Sequence, residues 1–391
     1  MPPASFSLKL SPEALQSLGS MEGYLPVVER RAVAPPAKPA VKPNPWPGWT
    51  AAVAVSAVAY GIHYLPFAPF RVEGASGIRR PVSAAILAIL AGALAGNLLP
   101  LRSKIFRGVL EGAKHVVRHS IPLTIVLTGA SLSFTHATTV GLRAFAIILA
   151  TMTMSMAAAW VFGKMCGLWP RTSVLLGAGT AICGNSAIVA VAPLIDAEDR
   201  DVMLSVGAIN VLGLVLMFVS PLAGGLFGLG DDGYGVWAGT TIHAVPQAVA
   251  AGFAFSPKAG GLATLVKLVR VALLAPLLLV LAFLYAHRRK DRVTIHYTRL
   301  VPPFLWGFFG LFLFNSLGWL PVLQFQSGYS VSSASALAEA GNILLTLSMA
   351  AMGLEVNLKL FAKVGGAALA VGAAAMLATC AASFALIRAL L

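Results

Sequence analysis

The chain has 391 residues, 58% of them apolar and 11% charged, with a formal net charge of +14 and a mean hydropathy of +0.83. About a quarter of an ordinary soluble domain is charged, and a membrane-spanning helix needs roughly 20 mostly apolar residues, so the composition reads as an all-α polytopic membrane protein. The positive charge does not mark a nucleic-acid binder. Lys and Arg lie mainly between apolar runs, as in Arg288-Arg289-Lys290-Asp291-Arg292, and not on one exposed face with interleaved aromatics.

Residues 1–48 mix Pro, Ala, Lys and Glu, as in RRAVAPPAKPAVKPNPWPG, and cannot bury enough surface to fold alone. They lack the basic start, short apolar run and small-residue cleavage site of a secretory signal. A flexible cytosolic tail is expected, followed by a transmembrane transporter domain over 49–391.

About 11 apolar spans follow, near 49–67, 82–100, 108–134, 144–165, 173–195, 202–228, 235–255, 262–286, 301–320, 336–357 and 364–390. With the N-terminus inside, the cytoplasmic side receives Arg102, Lys104, Arg107, Lys164, Arg171, the cluster from Arg288 to Arg299, Lys359 and Lys363. That distribution follows the positive-inside rule and places the acidic loop from Asp196 to Asp201 outside. Cys166, Cys183 and Cys380 have neither metal-ligand spacing nor the density of a disulfide framework. Within these spans, AGTAICGNSAIVA (Ala178 to Ala190) lines up with AGTTIHAVPQAVA (Ala238 to Ala250), and LTIVLTGASL (Leu123 to Leu132) more loosely with LTLSMAAMGL (Leu345 to Leu354). Internal repeats of this kind often frame a transporter's substrate site.

GAGTAICGNSAIVAVAPLI, from Gly177 to Ile195, is long enough to span yet crowds helix-weakening and hydrogen-bonding residues into its first half. An interrupted helix survives in lipid only where protein or a watery cavity surrounds it. Interruption near Gly184 would free amides that attract anions, with Thr180, Asn185 and Ser186 as short neutral hydrogen bonders. Tight packing through small residues explains the glycines but not Asn185 beside Ser186. In GVWAGTTIHAVPQAVAAG, Pro246 frees the carbonyl of Ile242, and His243 and Gln247 share a face if the helix persists. A lone histidine in an apolar helix is commonly a satisfied interhelical hydrogen bonder; with Thr240, Thr241 and a proline break, site-lining is the stronger reading.

Lys267 and Arg270 lie on one face within a long apolar run. Charges there mark a pathway or an ion pair, unless they snorkel to the interface. With few acidic partners in the spans, they suit an anionic substrate. Lys114, His115, Arg118 and His119 read as a solvated start to the third span, with a basic vestibule as the alternative. No P-loop, HExxH, GxSxG or paired intramembrane carboxylates occur, so neither enzyme chemistry nor a resident cofactor or metal is expected.

Taken in order, GAGTAICGNSAIVAVAPLI, GVWAGTTIHAVPQAVAAG, VKLVRVALLAP, PPFLWGFF and AMGLEVNL resemble the YeiH-like sulfate exporter family of conserved hypothetical inner-membrane proteins, over roughly residues 80–391. Asn185 departs from the alanine usual before the serine. Ala244-Val245-Pro246 follows the histidine where a glutamate is usual, which leaves no carboxylate there to carry a proton. The family resembles a branch of the cation–proton antiporter and anion transporter superfamily. That implies an inverted-repeat fold with discontinuous crossing helices, a core moving against a scaffold, and a homodimer. The expectation is a secondary-active transporter of a small anion such as sulfate or an organosulfonate in the inner membrane. It would bind substrate through Thr180, Gly184, Asn185, Ser186, Thr240, His243, Gln247, Lys267 and Arg270. The alternatives are a Na⁺- or H⁺-coupled carrier of another solute and a non-transporting sensor or assembly module.

Overall fold

The computed structural model describes residues 44–67, 72–74, 77–79, 83–98, 104–131, 134–285, 303–324, 330–356 and 365–391; the expected tail over 1–48 lies almost wholly outside them. Apolar runs set the first helices, and a proline opens the first of them. Proline within the first turn costs no hydrogen bond, because those amides have no intrahelical partner, and Pro47 holds that place in α1 (Trp46–His63). Then come α2 (Ala84–Leu98), α3 (Lys104–Thr128) and α4 (Phe134–Met165). Two antiparallel β-hairpins, β1 (Val72–Gly74) with β2 (Gly77–Arg79) and β3 (Val322–Gln324) with β4 (Ser330–Ser332), sit in loops and qualify the all-helical expectation.

The stretch expected at 173–195 forms two half-helices, α5 (Pro170–Ala181) and α6 (Asn185–Val191), and α7 (Asp199–Leu226) follows. The stretch expected at 235–255 likewise divides into α8 (Asp231–Thr241) and α9 (Val245–Phe255), followed by α10 (Pro257–Ala272) and α11 (Leu274–Tyr285). The chain ends with α12 (Pro303–Ser316), α13 (Ser333–Glu355) and α14 (Gly366–Leu390). Among the described residues five helices are long and apolar enough to cross a membrane: Gly141–Met165, Asp199–Leu226, Pro257–Tyr285, Ser333–Glu355 and Gly366–Leu390. The protein is a multi-pass membrane protein whose architecture is helical apart from the two short loop hairpins.

Neither of the two divided stretches crosses as an interrupted span. Each turns back. At the foot of the first, Thr172 donates to Asp201 at 2.5 Å and Arg171 pairs with Glu198 at 3.5 Å, so the start of α5 adjoins the start of α7. The amide of Ala197 donates to the Ala192 carbonyl at 3.0 Å, closing the return from α6. At the foot of the second, Lys258 pairs with Asp232 at 2.8 Å, Tyr234 Oη donates to the Ala251 carbonyl at 3.2 Å, and the Tyr234 and Phe255 rings stack 4.1 Å apart. Both stretches are therefore re-entrant hairpins, each followed by a long helix running parallel to its first half. The acidic loop from Asp196 to Asp201 consequently lies on the side of Arg171, not across the membrane from it. Because α7 spans between them, the two hairpins enter from opposite faces.

Close contacts divide the helices into two bundles. In one, α2 and α13 cross at glycine: a Cβ on Gly92 would stand 2.4 Å from the Ala350 carbonyl oxygen, and one on Gly353 2.4 Å from that of Ile89. Close approach through small residues is how helices associate where lipid removes the hydrophobic drive. Helices α1, α3 and α12 complete this bundle, with Gly48 against Gly112 joining α1 to α3. In the other, both hairpins pack with α4, α7, α10 and α14. The bundles meet mainly where α9 touches α2 and α13, α12 touches α4, and α10 touches α3.

Candidate functional site: two hairpin tips tied by Lys267 and Arg270

Half-helix lengths decide where the tips lie. Twelve residues of α5 and eleven of α8 rise about 18 Å and 16 Å at 1.5 Å per residue. From opposite faces these sum to about the 30 Å hydrocarbon thickness, so the tips meet near the midplane.

The first tip is Ile182-Cys183-Gly184. Ile182 leaves helical geometry (φ −121°, ψ −89°) and Gly184 turns the chain at φ +78°, ψ −118°, a combination that L side chains avoid and glycine tolerates. The second tip is Ile242-His243-Ala244, where Ile242 and Ala244 are extended and Pro246 occupies the first turn of α9. When Ala178 is laid on Ala238 as the internal echo requires, Ile182 falls on Ile242 and the two breaks coincide. The echo is the imprint of two hairpins of one design.

Each first half ends in carbonyls that have no intrahelical donor. Two buried cations from α10 supply donors. Lys267 Nζ donates to the carbonyls of Ile182 at 2.6 Å and Ile242 at 2.7 Å, touching both tips at once. Arg270 donates from Nε to Ala181 at 2.9 Å, from Nη1 to Gly239 at 2.9 Å and from Nη2 to Thr180 at 2.5 Å. Both side chains are 0% exposed, which excludes snorkelling. The cations also sit at the negative ends of two half-helix dipoles, where positive charge is favoured. Among the described residues Asp201 is the one fully buried carboxylate, and it is engaged by Thr172 and the Glu198 amide at the foot of α7.

The remaining expected site residues divide. Among the described residues no partner meets the hydroxyl of the wholly buried Thr180, nor either ring nitrogen of His243, 1% exposed in the second tip. A buried polar atom without a hydrogen bond is costly, which makes these groups the candidates for contact with a polar ligand. Asn185 is buried at the start of α6 and donates from Nδ2 to Asn210 Oδ1 at 2.8 Å, while Ser186 is half-buried. Thr240 faces away from the tips, sharing a 2.7 Å hydrogen bond with Ser383 of α14. Gln247 accepts from the Ala244 amide at 3.4 Å and caps α9. The helix does not persist through His243, so helical spacing does not pair it with Gln247. Asn210 escaped the sequence reading; its signal was a single amide inside the apolar run VGAINVLGLV.

Among the described residues no three His, Cys, Asp or Glu side chains gather as a metal site. The cations with the tip carbonyls, the first-turn amides of α9 and the polar groups of Thr180 and His243 together form a buried, net-positive polar cluster inside an apolar bundle.

A family model described as "Conserved hypothetical protein 698" matches residues 50–372. Similar proteins include a UPF0324 membrane protein of Brucella melitensis, 32% identical over 88% of this chain and 91% of its own length. Another from Agrobacterium fabrum is 34% identical over 72% and 77%, respectively. One from Clostridium tetani is 30% identical over 73% and 83%. No solved structure matches.

Proposed function

The chain belongs to the UPF0324 membrane protein family, and from that premise we propose that it is a secondary-active carrier of a small anion such as sulfate or an organosulfonate, as the resemblance to YeiH-like exporters implies. The observation that carries the reading is the pair of re-entrant tips whose carbonyl ends are taken by Lys267 and Arg270. With their negative ends satisfied, the tips offer an anion the first-turn amides of α9 and the polar groups of Thr180, Asn185, Ser186 and His243, backed by two cations. Gly184 lets the first tip turn tightly enough to present them. Hairpins of one design entering from opposite faces support an inverted repeat within the cation–proton antiporter and anion transporter superfamily. The sparse contact between bundles fits a core that shifts against a scaffold, in an inner-membrane homodimer with a cytoplasmic N-terminus.

A non-transporting sensor would have no use for helices broken at Gly184 and before Pro246 at the midplane. The test is uptake into proteoliposomes of labelled sulfate, taurine and acetate. Uptake of at least one, competed by the others according to charge and size, is expected. Failure of every anion to move under imposed ion gradients, in protein that is folded and inserted, would sink the substrate class.

A further inference from the structure

In carriers with broken helices, the carbonyls freed at half-helix ends are the ligands that coordinate a coupling cation. Sodium asks for several oxygen ligands around a compact charge. A lysine ammonium asks for nearly the same, being a compact charge with three donors. Here Lys267 lies between Ile182 and Ile242 at 2.6 and 2.7 Å, and Arg270 takes Thr180, Ala181 and Gly239. Five carbonyls at the two tips thus face cations carried by the chain itself, and both cations are fully buried on their face of α10.

We infer that Lys267 is a tethered stand-in for a coupling cation: sodium does not bind between the tips, and the carrier moves its substrate without sodium coupling. Removing the ammonium while keeping the tips would expose the carbonyls of Ile182 and Ile242 to a free cation. The transport half of this inference rests on the carrier reading; the binding half does not.

The experiment uses the purified full chain and compares melting in sodium chloride with melting in choline chloride at equal ionic strength. The wild type should melt at the same temperature in both. Lys267→Ala should melt lower than the wild type in choline, and sodium should raise it by about 3 °C, since a ligand that binds only the folded state stabilises it by mass action. Sodium-specific stabilisation of the wild type, or none of Lys267→Ala, overturns the inference. If Lys267→Ala does not fold, the wild type still decides through anion uptake with and without a sodium gradient. Equal rates support the inference and sodium-driven uptake refutes it. A chain that moves no anion at all defeats the carrier reading and leaves the melting result standing.

Discussion

Replacing Arg270 by methionine tests whether the tips depend on its three hydrogen bonds. Methionine keeps much of the length and leaves no large void, so the change isolates the lost donors. Three buried carbonyls, of Thr180, Ala181 and Gly239, then lack their partner. An abandoned buried acceptor costs about 1–3 kcal/mol. Removal of the cation's own desolvation cost offsets part of the sum, so the net loss is about 3–5 kcal/mol, as when one member of a buried ionic contact is removed. At roughly 2 °C per kcal/mol for a large chain, the melting temperature in detergent should fall by about 6–10 °C. Arg270→Lys retains the charge but loses the planar fork, and should fall by less. Melting of Arg270→Met within about 2 °C of the wild type would refute the account of the tips as carbonyl ends that need a cation.

Re-entrance makes a prediction independent of energetics. With Cys166 replaced by serine, Asp232→Cys together with Lys258→Cys should be bridged by a short bifunctional thiol reagent, because the native side chains meet at 2.8 Å. A membrane-impermeant reagent should reach Asp232→Cys from one face and Glu198→Cys only from the other; labelling of both from one face would contradict hairpins of opposite entry. Gly184→Ala forces a side chain onto φ +78°, ψ −118° and should cost about 1–3 kcal/mol. Gly141→Ala, in open space on α4, should be neutral or stabilising by about 0.5–1 kcal/mol; equal losses at both positions would mean that the tip conformation is not the cause.

The membrane class and the places where helices weaken were legible because composition and local chemistry determine them. Pro246 removes the donor that would have served the Ile242 carbonyl, and that carbonyl accepts from Lys267. The repeat of A-G-T before an isoleucine marked both breaks. For two side chains the structure differs from the expectation. Thr240 was grouped with the site because threonine beside a break can face a substrate, yet its rotation about α8 carries it to Ser383. Gln247 was paired with His243 on the premise of an unbroken helix, and the break at His243 removes that premise.

Re-entrance was illegible for a deeper reason. The stretches at 173–195 and 235–255 are long and apolar enough to cross, and hydropathy registers length and polarity but not direction. What sends α6 and α9 back is contact made elsewhere in the chain. Thr172 and Arg171 are held at the foot of α7, Asp232 at the foot of α10, and the tips themselves by cations many residues downstream. The energetic order follows from this. A tip in lipid would strand its amides and carbonyls, so neither hairpin is stable alone at the midplane. Each becomes stable once α10 brings Lys267 and Arg270 beside both. The two cations that looked like an anion's attracting field are therefore first a condition of the fold, and the net positive charge at the tips is what remains after the carbonyls have been satisfied.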